Sequence, residues 1–257
     1  MEYKIVFFDI DGTLTHHEDG SIPQNTKDAI KLLKDKGLVV VAATGRPLSM
    51  CSEIRELGID TVISANGAYV KHHEEVLHKV AMDSTVVKEV VEFSEEEKHG
   101  LSFYTEGFSM NGIQNADVMN ALKETLSLEE YPMIENEIFN KEVYLMCLFA
   151  DDEQVDKYIR RFPHLTFKRW HPFVLNVLKE DVSKSLAIKK VLDYFQLESS
   201  QAIAFGDGEN DIDMLELAGL GIAMGNGHER LKEVADFVTE KSGEDGIVYA
   251  LKEFCII

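Results

Sequence analysis

Residues 4–14 read KIVFFDIDGTL, and this stretch decides the fold. Its β-branched and aromatic residues at 4–8 predict a buried strand, which ends at the carboxylates of Asp9 and Asp11. VVVAATGR at residues 39–46 and AIAFGDGEND at residues 202–211 repeat the design of an apolar strand followed by polar residues and glycine. In open α/β sheets, ligands bind beyond the carboxyl ends of the strands. We therefore expect the three polar ends to converge on one site.

The sequence around these segments alternates between strand and helix patterns. Continuous apolar runs predict strands buried on both faces, and apolar residues at i, i+3 and i+4 predict helices between them. This alternation is typical of a parallel sheet flanked by helices. The predicted strands are residues 4–8, 38–43, 61–64, 202–205, 220–223 and 237–239, and the predicted helices are 23–36, 47–57, 184–195, 212–218, 228–235 and a closing helix from Asp245.

Residues 82–180 have a different pattern, in which several strands follow one another closely. Helical patterns cover residues 86–98 and 115–126, and strand patterns cover 101–105, 143–149, 165–170 and 173–178. Such a run predicts an α+β module. We therefore predict an α/β core made of residues 1–81 and 181–257, interrupted by an inserted α+β domain at residues 82–180.

Composition excludes several classes of protein. The 257 residues include 46 acidic and 26 basic ones, a net charge of −20, which argues against nucleic-acid binding because that depends on basic residues. Cys51, Cys147 and Cys255 are far apart, so they indicate reduced thiols rather than a disulfide or zinc framework. Neither a membrane span nor a signal peptide is predicted, and we expect a cytoplasmic protein without a membrane partner.

The polar strand ends carry the residue types that phosphate chemistry needs. Asp9 and Asp11 are two apart, so in an extended chain both carboxylates point the same way, and Asp207 adds a third. Carboxylate oxygens suit Mg²⁺. Lys184 lies in the first turn of a predicted helix, where backbone N–H groups attract anions. A lone Asp-x-Asp pair is more commonly a solvated turn and a lone lysine a solvated side chain, but the combination in this order favours a site.

Four segments resemble the motifs of the haloacid dehalogenase superfamily. These are DIDGTL at 9–14, ATGR at 43–46, Lys184, and GDGENDIDML at 206–215. The Asp-x-Asp pair resembles that of its phosphatases. The insert between the second and third motifs resembles the type-two (C2B) cap of the Cof-like subfamily, as do SANGA at 64–68 and GNG at 225–227. Ser185 departs from the pattern, since many relatives have glycine there. The resemblance implies a Rossmann-like core with an inserted α+β cap.

The resemblance also implies roles for single residues. Asp9 is expected to attack phosphorus and form an aspartyl-phosphate, with Asp11 as general acid and base. Mg²⁺ is expected to be bound by the Asp9 carboxylate, the Asp207 carboxylate and the backbone carbonyl of Asp11. Asp211 is expected to support these ligands without binding the ion itself. The phosphoryl oxygens are expected to contact Ile10, Thr44, Gly45, Lys184 and Asn210, and further substrate contacts are expected from Arg46 and Asn66.

The implied activity is hydrolysis of phosphomonoesters of small metabolites, such as sugar phosphates or phosphorylated cofactors. The four site aspartates contribute −4 and the two cations return +2 at most, so the site should repel a phosphate dianion unless a divalent cation is bound. Two alternatives remain open from sequence. One is a phosphotransferase or phosphomutase on the same scaffold, and the other is a phospho-accepting receiver domain, which the chain length and the cap disfavour.

Overall fold

The computed structural model describes residues 2–126, 128–179 and 181–257. The chain forms two compact units. Unit 1 consists of Met1–Arg46, Cys51–His78 and Ser183–Ile257, and unit 2 consists of Pro47–Met50 and Lys79–Val182. Within the described part of the chain, no helix is both long and apolar enough to cross a membrane.

Unit 1 is built on an eight-stranded sheet with the order β13-β12-β11-β1-β2-β3-β4-β5. The six strands from β13 to β3 are parallel, and β4 runs antiparallel to β3. The strands are β1 (Ile5–Phe8), β2 (Val39–Ala43), β3 (Thr61–Ser64), β4 (Tyr69–His72), β5 (Glu75–Lys79), β11 (Ala202–Gly206), β12 (Leu220–Ala223) and β13 (Phe237–Val238).

Helices connect the parallel strands of this sheet, as a βαβ arrangement requires. Ala187, Ile188 and Val191 pack against apolar side chains of the sheet, including Phe7 and Val41, so the core lies between helices and strands. The helices are α1 (Gln24–Asp35), α2 (Ser52–Glu56), α6 (Lys184–Phe195), α7 (Ile212–Leu217), α8 (Glu229–Val234) and α9 (Gly246–Glu253).

Unit 2 contains a five-stranded antiparallel sheet with the order β7-β6-β8-β10-β9. Its core combines apolar side chains of the strands with those of two helices, among them Val90, Phe103, Leu148 and Val155. The elements are α3 (Ser84–Glu97), β6 (Gly100–Tyr104), β7 (Phe108–Met110), α4 (Ala116–Leu126), β8 (Leu145–Phe149), α5 (Asp152–Arg161), β9 (Leu165–His171) and β10 (Val174–Lys179).

The predicted fold class is confirmed, with a mainly parallel sheet flanked by helices and a second, antiparallel sheet. The sequence reading missed β4, β5, β7 and α5. The predicted helix from Pro47 is wrong. A short 3₁₀ turn at Leu48–Met50 comes first, and Cys51 then leaves helical geometry with φ −117° and ψ 26°, so α2 begins only at Ser52. The predicted domain limits at 82 and 180 stay a prediction.

Candidate active site

β1 brings together the segments that carry the candidate site. It lies between β11 and β2 in the sheet, with Phe8 opposite both Phe205 and Ala42. The backbone N–H of Asp9 donates to the carbonyl of Phe205 at 2.9 Å, so the pairing continues to the end of the strand. The three segments after β1, β2 and β11 therefore leave the same edge of the sheet, as the sequence predicted.

A buried ion triad forms the centre of the site. Lys184 is the first residue of α6, and its Nζ lies 2.5 Å from Asp9 Oδ1 and 2.5 Å from Asp211 Oδ1. Lys184 is 1% exposed, Asp211 0% and Asp9 6%. Unpaired charges at such burial would cost several kcal/mol each, so both carboxylates depend on Lys184 and Lys184 depends on them. Ser183 caps α6, because its Oγ accepts from Leu186 N at 3.3 Å, and this fixes where Lys184 starts the helix.

Burial and neighbouring charges shift the pKa values of Asp9, Asp207 and Lys184. Burial raises the pKa of Asp9 well above its ordinary value, and the charges of Asp211, Asp207 and Asp11 add to this against the opposing charge of Lys184. Burial, followed by the charge of Asp211, raises the pKa of Asp207 to about 7. Burial alone would lower the pKa of Lys184, but the charges of Asp211 and Asp9 hold it above its ordinary value. The carboxylates are therefore short of positive charge even with Lys184 present.

Asp9, Asp207 and Asp211 are close enough to share one cation. One oxygen from each carboxylate lies within 4.8 Å of the others. Asp211 is already committed, because Oδ1 binds Lys184 and Oδ2 accepts from the N–H groups of Asp207 and Gly208 at 3.0 and 2.9 Å. Asp9 and Asp207 are therefore the carboxylates better able to bind a metal ion, and Asp211 holds the loop that carries Asp207.

Asp11 lies beyond β1, which ends at Phe8, in the turn that follows the strand. Residues Ile10–Leu14 form a turn closed by a hydrogen bond of 2.9 Å from Thr15 N to Ile10 O, in which Asp11 has φ −74° and ψ 114° and Gly12 has φ +78°. The turn leaves the Asp11 side chain 60% exposed, whereas Asp9 is buried. The two carboxylates thus meet different surroundings, although they are only two residues apart in the sequence.

Arg46 binds Asp11 rather than pointing freely into the site. Its Nε donates to Asp11 Oδ1 and Oδ2 at 3.1 and 2.9 Å, and Nη2 also pairs with Asp11. Its Nη1 lies 2.5 Å from Glu53 Oε1. Since a guanidinium fork fits a carboxylate bidentately, this contact fixes the direction of the Asp11 side chain. Glu53 was not among the predicted site residues, since a single glutamate on a helix gives no sequence signal.

Thr44, Gly45, Asn66 and Asn210 occupy one corner of the site. Thr44 is buried, and its Oγ1 accepts from Arg46 N at 3.0 Å. Asn66 has φ +54°, and its Oδ1 accepts from Asn210 Nδ2 at 3.0 Å. A Cβ at Gly45 would lie 3.3 Å from Asn66 Oδ1, so the glycine allows this close approach. The predicted residues of the loops after β2, β3 and β11 are therefore brought together.

Asn226 and Thr13 also reach the site, and the sequence reading gave neither a role. Asn226 Nδ2 donates to Gly12 O at 2.9 Å and to Asp207 Oδ2 at 3.3 Å. Thr13 Oγ1 donates to Asp207 Oδ1 at 3.3 Å. Thr13 is part of DIDGTL and Asn226 is part of GNG, but neither motif by itself indicates these contacts.

Comparisons with known proteins give a consistent result. A sequence model of the haloacid dehalogenase-like hydrolases matches residues 6–251. The Bacillus subtilis protein YkrA is 36% identical over 260 residues, covering 100% of each chain. The 5-amino-6-(5-phospho-D-ribitylamino)uracil phosphatase YitU of Bacillus subtilis is 31% identical over 278 residues, covering 99% of each chain.

Solved structures agree with the sequence comparison. A protein from Geobacillus kaustophilus superposes with a TM-score of 0.92 at 36% identity, covering 99% of this chain and 100% of that one. A sugar phosphatase described as subclass IIB superposes with a TM-score of 0.86 at 36% identity, with the same coverage of 99% and 100%.

Proposed function

Because this chain belongs to the haloacid dehalogenase-like hydrolase family and is a hydrolase of phosphomonoesters, we propose that it uses Asp9 as nucleophile and Mg²⁺ as cofactor. The observation that supports this most is the buried triad of Lys184, Asp9 and Asp211 at the carboxyl end of the parallel sheet. Lys184 holds Oδ1 of Asp9 in place, so the carboxylate has a fixed direction toward an incoming phosphoryl group. The reaction forms a bond from an Asp9 oxygen to phosphorus and breaks the bond to the leaving oxygen.

The chemistry of the carboxylates fits a magnesium ion. Asp9 and Asp207 supply hard oxygen ligands, which Mg²⁺ prefers, and the Asp11 carbonyl is proposed as a third. The raised pKa values of Asp9 and Asp207 mean that these carboxylates have too little positive charge around them, which supports the binding of a cation at this place. When bound, the ion would supply electrophilic stabilisation of charge on the phosphoryl oxygens.

The remaining predicted residues are proposed to hold the phosphoryl group. Lys184, Thr44 and Asn210 belong to three different strand or helix ends, and we propose that they contact the phosphoryl oxygens together with the N–H groups of Ile10 and Gly45. Asn66 contacts Asn210. We therefore propose that Asn66 orients the Asn210 amide and makes only a peripheral contact with the substrate. Fixed donors of this kind lower the barrier because they need not reorganise as charge develops.

Asp11 is proposed as general acid in the first step and general base in the second. It would give a proton to the leaving oxygen and later take one from the water that attacks the phosphorylated Asp9. Arg46 is proposed to aim the Asp11 carboxylate, which revises its expected role as a direct substrate contact.

The substrate is proposed to be a small phosphorylated metabolite. YitU is named for a phosphorylated ribitylaminouracil and the subclass IIB structure for sugar phosphates, so the shared chemistry is a phosphomonoester on a polyhydroxylated carbon chain. Unit 2 is proposed to be the cap domain that the resemblance implies. A phosphotransferase or phosphomutase remains the alternative, and it differs only in whether water or a second hydroxyl accepts the phosphoryl group.

An acid-quench experiment tests this proposal. The full chain is incubated with Mg²⁺ and ³²P-labelled sugar phosphates, and both inorganic phosphate and acid-stable label on the protein are measured. We expect phosphate release and transient label in the wild type and in Asp28→Asn, an exposed control, but neither in Asp9→Asn. Label on the Asp9→Asn protein would mean that another residue is the nucleophile. An isomerised product without free phosphate would favour the phosphomutase.

A further inference from the structure

The Asn226 side chain connects three separate loops of unit 1. It lies after β12, and its Nδ2 donates to the carbonyl of Gly12 at 2.9 Å and to Oδ2 of Asp207 at 3.3 Å. Its Oδ1 accepts from the backbone N–H of Ser242 at 2.9 Å. The amide therefore joins the turn after β1, the loop after β11 and the segment before α9.

The chemistry of these partners requires an amide at this position. Both partners of Nδ2 are acceptors and the partner of Oδ1 is a donor, so the network itself fixes which end is nitrogen. A carboxylate of the same size has no proton for Gly12 O or Asp207 Oδ2. A serine hydroxyl offers one donor where two are used.

The surroundings of Asp207 leave its carboxylate little freedom. A Cβ at Gly12 would lie 2.3 Å from Asp207 Oδ2, so the glycine backbone forms one wall. Thr13 Oγ1 binds the other oxygen, Oδ1, at 3.3 Å. The backbone is also fixed, because His228 N donates to Asp207 O at 2.8 Å and Met224 N donates to Gly206 O at 2.9 Å. Asn226 is thus the amide that links the Asp207 carboxylate to the turn following Asp9.

We propose that Asn226 is a positioning residue, which holds the Asp207 carboxylate and the Gly12 turn at a fixed separation so that Asp9 and Asp207 can bind one divalent cation. The proposal rests on the proposed metal-dependent function. Outer hydrogen bonds to a ligating carboxylate typically change metal affinity by about 10–100-fold. Mg²⁺ demands near-ideal geometry and Ca²⁺ accepts irregular geometry, so loss of positioning should harm Mg²⁺ binding more.

Calorimetric titration of the full chain with Mg²⁺ and with Ca²⁺ tests this directly, without use of activity. Asn226→Ala and Asn226→Ser are compared with wild type and with Asn25→Ala, whose exposed amide instead binds Asp245. We expect Mg²⁺ affinity to fall about 10-fold or more in Asn226→Ala, less in Asn226→Ser, and Ca²⁺ affinity to fall less than Mg²⁺ affinity. Asn25→Ala should bind both ions like wild type.

Thermal unfolding in EDTA separates positioning from a merely structural role. A lower Tm of Asn226→Ala with wild-type dissociation constants for both ions would overturn the proposal, and so would an equal loss of affinity for Mg²⁺ and Ca²⁺. If Asn226→Ala does not fold, Asn226→Ser decides by the same criteria. Failure of the wild type to bind either ion would instead contradict the metal-dependent function itself.

Discussion

The two compact units bury different kinds of side chain. Unit 1 encloses Lys184 and Asp211 at 1% and 0% exposure beside the nearly buried Asp9. Among the described residues of unit 2, the buried polar side chains are three serines and His99, none of them a carboxylate or an ammonium group. Burying a charged group costs several kcal/mol even when the group is paired. Among the described residues, this cost falls on unit 1, which holds the candidate active site, and not on unit 2. The predictions below test this difference between the two units.

Removal of divalent metal should have the largest effect on unit 1 and none on unit 2. Exhaustive chelation is expected to lower phosphomonoester turnover by roughly 1,000-fold or more, because a bound metal supplies several kcal/mol of stabilisation. Addition of Mg²⁺ should restore activity, and the far-ultraviolet circular dichroism should not change. Full turnover after chelation would contradict the metal-dependent mechanism.

Lys184→Met should destabilise the fold as well as abolish turnover. The substitution leaves Asp9 and Asp211 buried without their cation, which typically costs about 3–5 kcal/mol. Lys189→Met, on the exposed face of the same helix, should change the free energy of unfolding by less than about 0.5 kcal/mol. Urea unfolding of both variants checks this, and equal stability would show that the triad contributes nothing to folding.

The Arg46→Gln variant should distinguish a role of Arg46 in positioning Asp11 from a role in binding the substrate. If Arg46 aims Asp11, kcat is expected to fall by about 10–100-fold while KM stays within about 2-fold, because proton transfer is impaired and ground-state binding is not. Glu53→Gln should give the same pattern with a smaller loss, and the exposed Arg55→Gln should behave like wild type. A rise in KM at unchanged kcat would restore Arg46 as a substrate contact.

His99 should give unit 2 a small dependence of stability on pH. Burial lowers its pKa below the ordinary value of 6.5, so the unfolded chain binds the proton first as the pH falls. Its contribution is therefore fully present above about pH 6.5 and declines below it. Between pH 7.5 and 5.5 the Tm should fall less steeply in His99→Gln than in wild type or in the exposed control His164→Gln. Identical slopes of Tm against pH in the three proteins would exclude His99 as a source of the pH dependence of stability.

Continuous apolar strands made the sheet of unit 1 predictable. Residues 61–64 and 220–223 have the predicted bounds, and every residue of these two strands is buried. β4 and β5 were missed because the stretch YVKHHEEVLHK is short, polar and half-exposed at the sheet edge. α5 could have been found, since Asp151 and Gln154 form a capping box at its start.

The site was predictable in its strand ends and not in the contacts between loops. Asp9 ends a predicted strand and Lys184 starts a predicted helix, so both were candidates from local pattern, whereas the place of Asp211 was implied only by the family resemblance. The contacts of Arg46 and Asn226 depend on how separate loops approach one another in the folded chain. Arg46 meets Asp11 across 35 residues of sequence, and Asn226 meets Gly12 across 214. No local periodicity encodes such a pairing, so only the structure reveals it.

The position of β1 between β2 and β11 has a consequence for synthesis of the chain. The first neighbour of β1 is made within the next 40 residues, but β11 begins only at Ala202. At roughly 5–20 residues per second, the chain between β5 and β11 takes about 6–25 s to emerge from the ribosome. During that interval the apolar strand Ile5–Phe8 is an unpaired edge, which is a template for pairing with other nascent chains. A chain released before Ala202 should therefore aggregate more readily than the full chain.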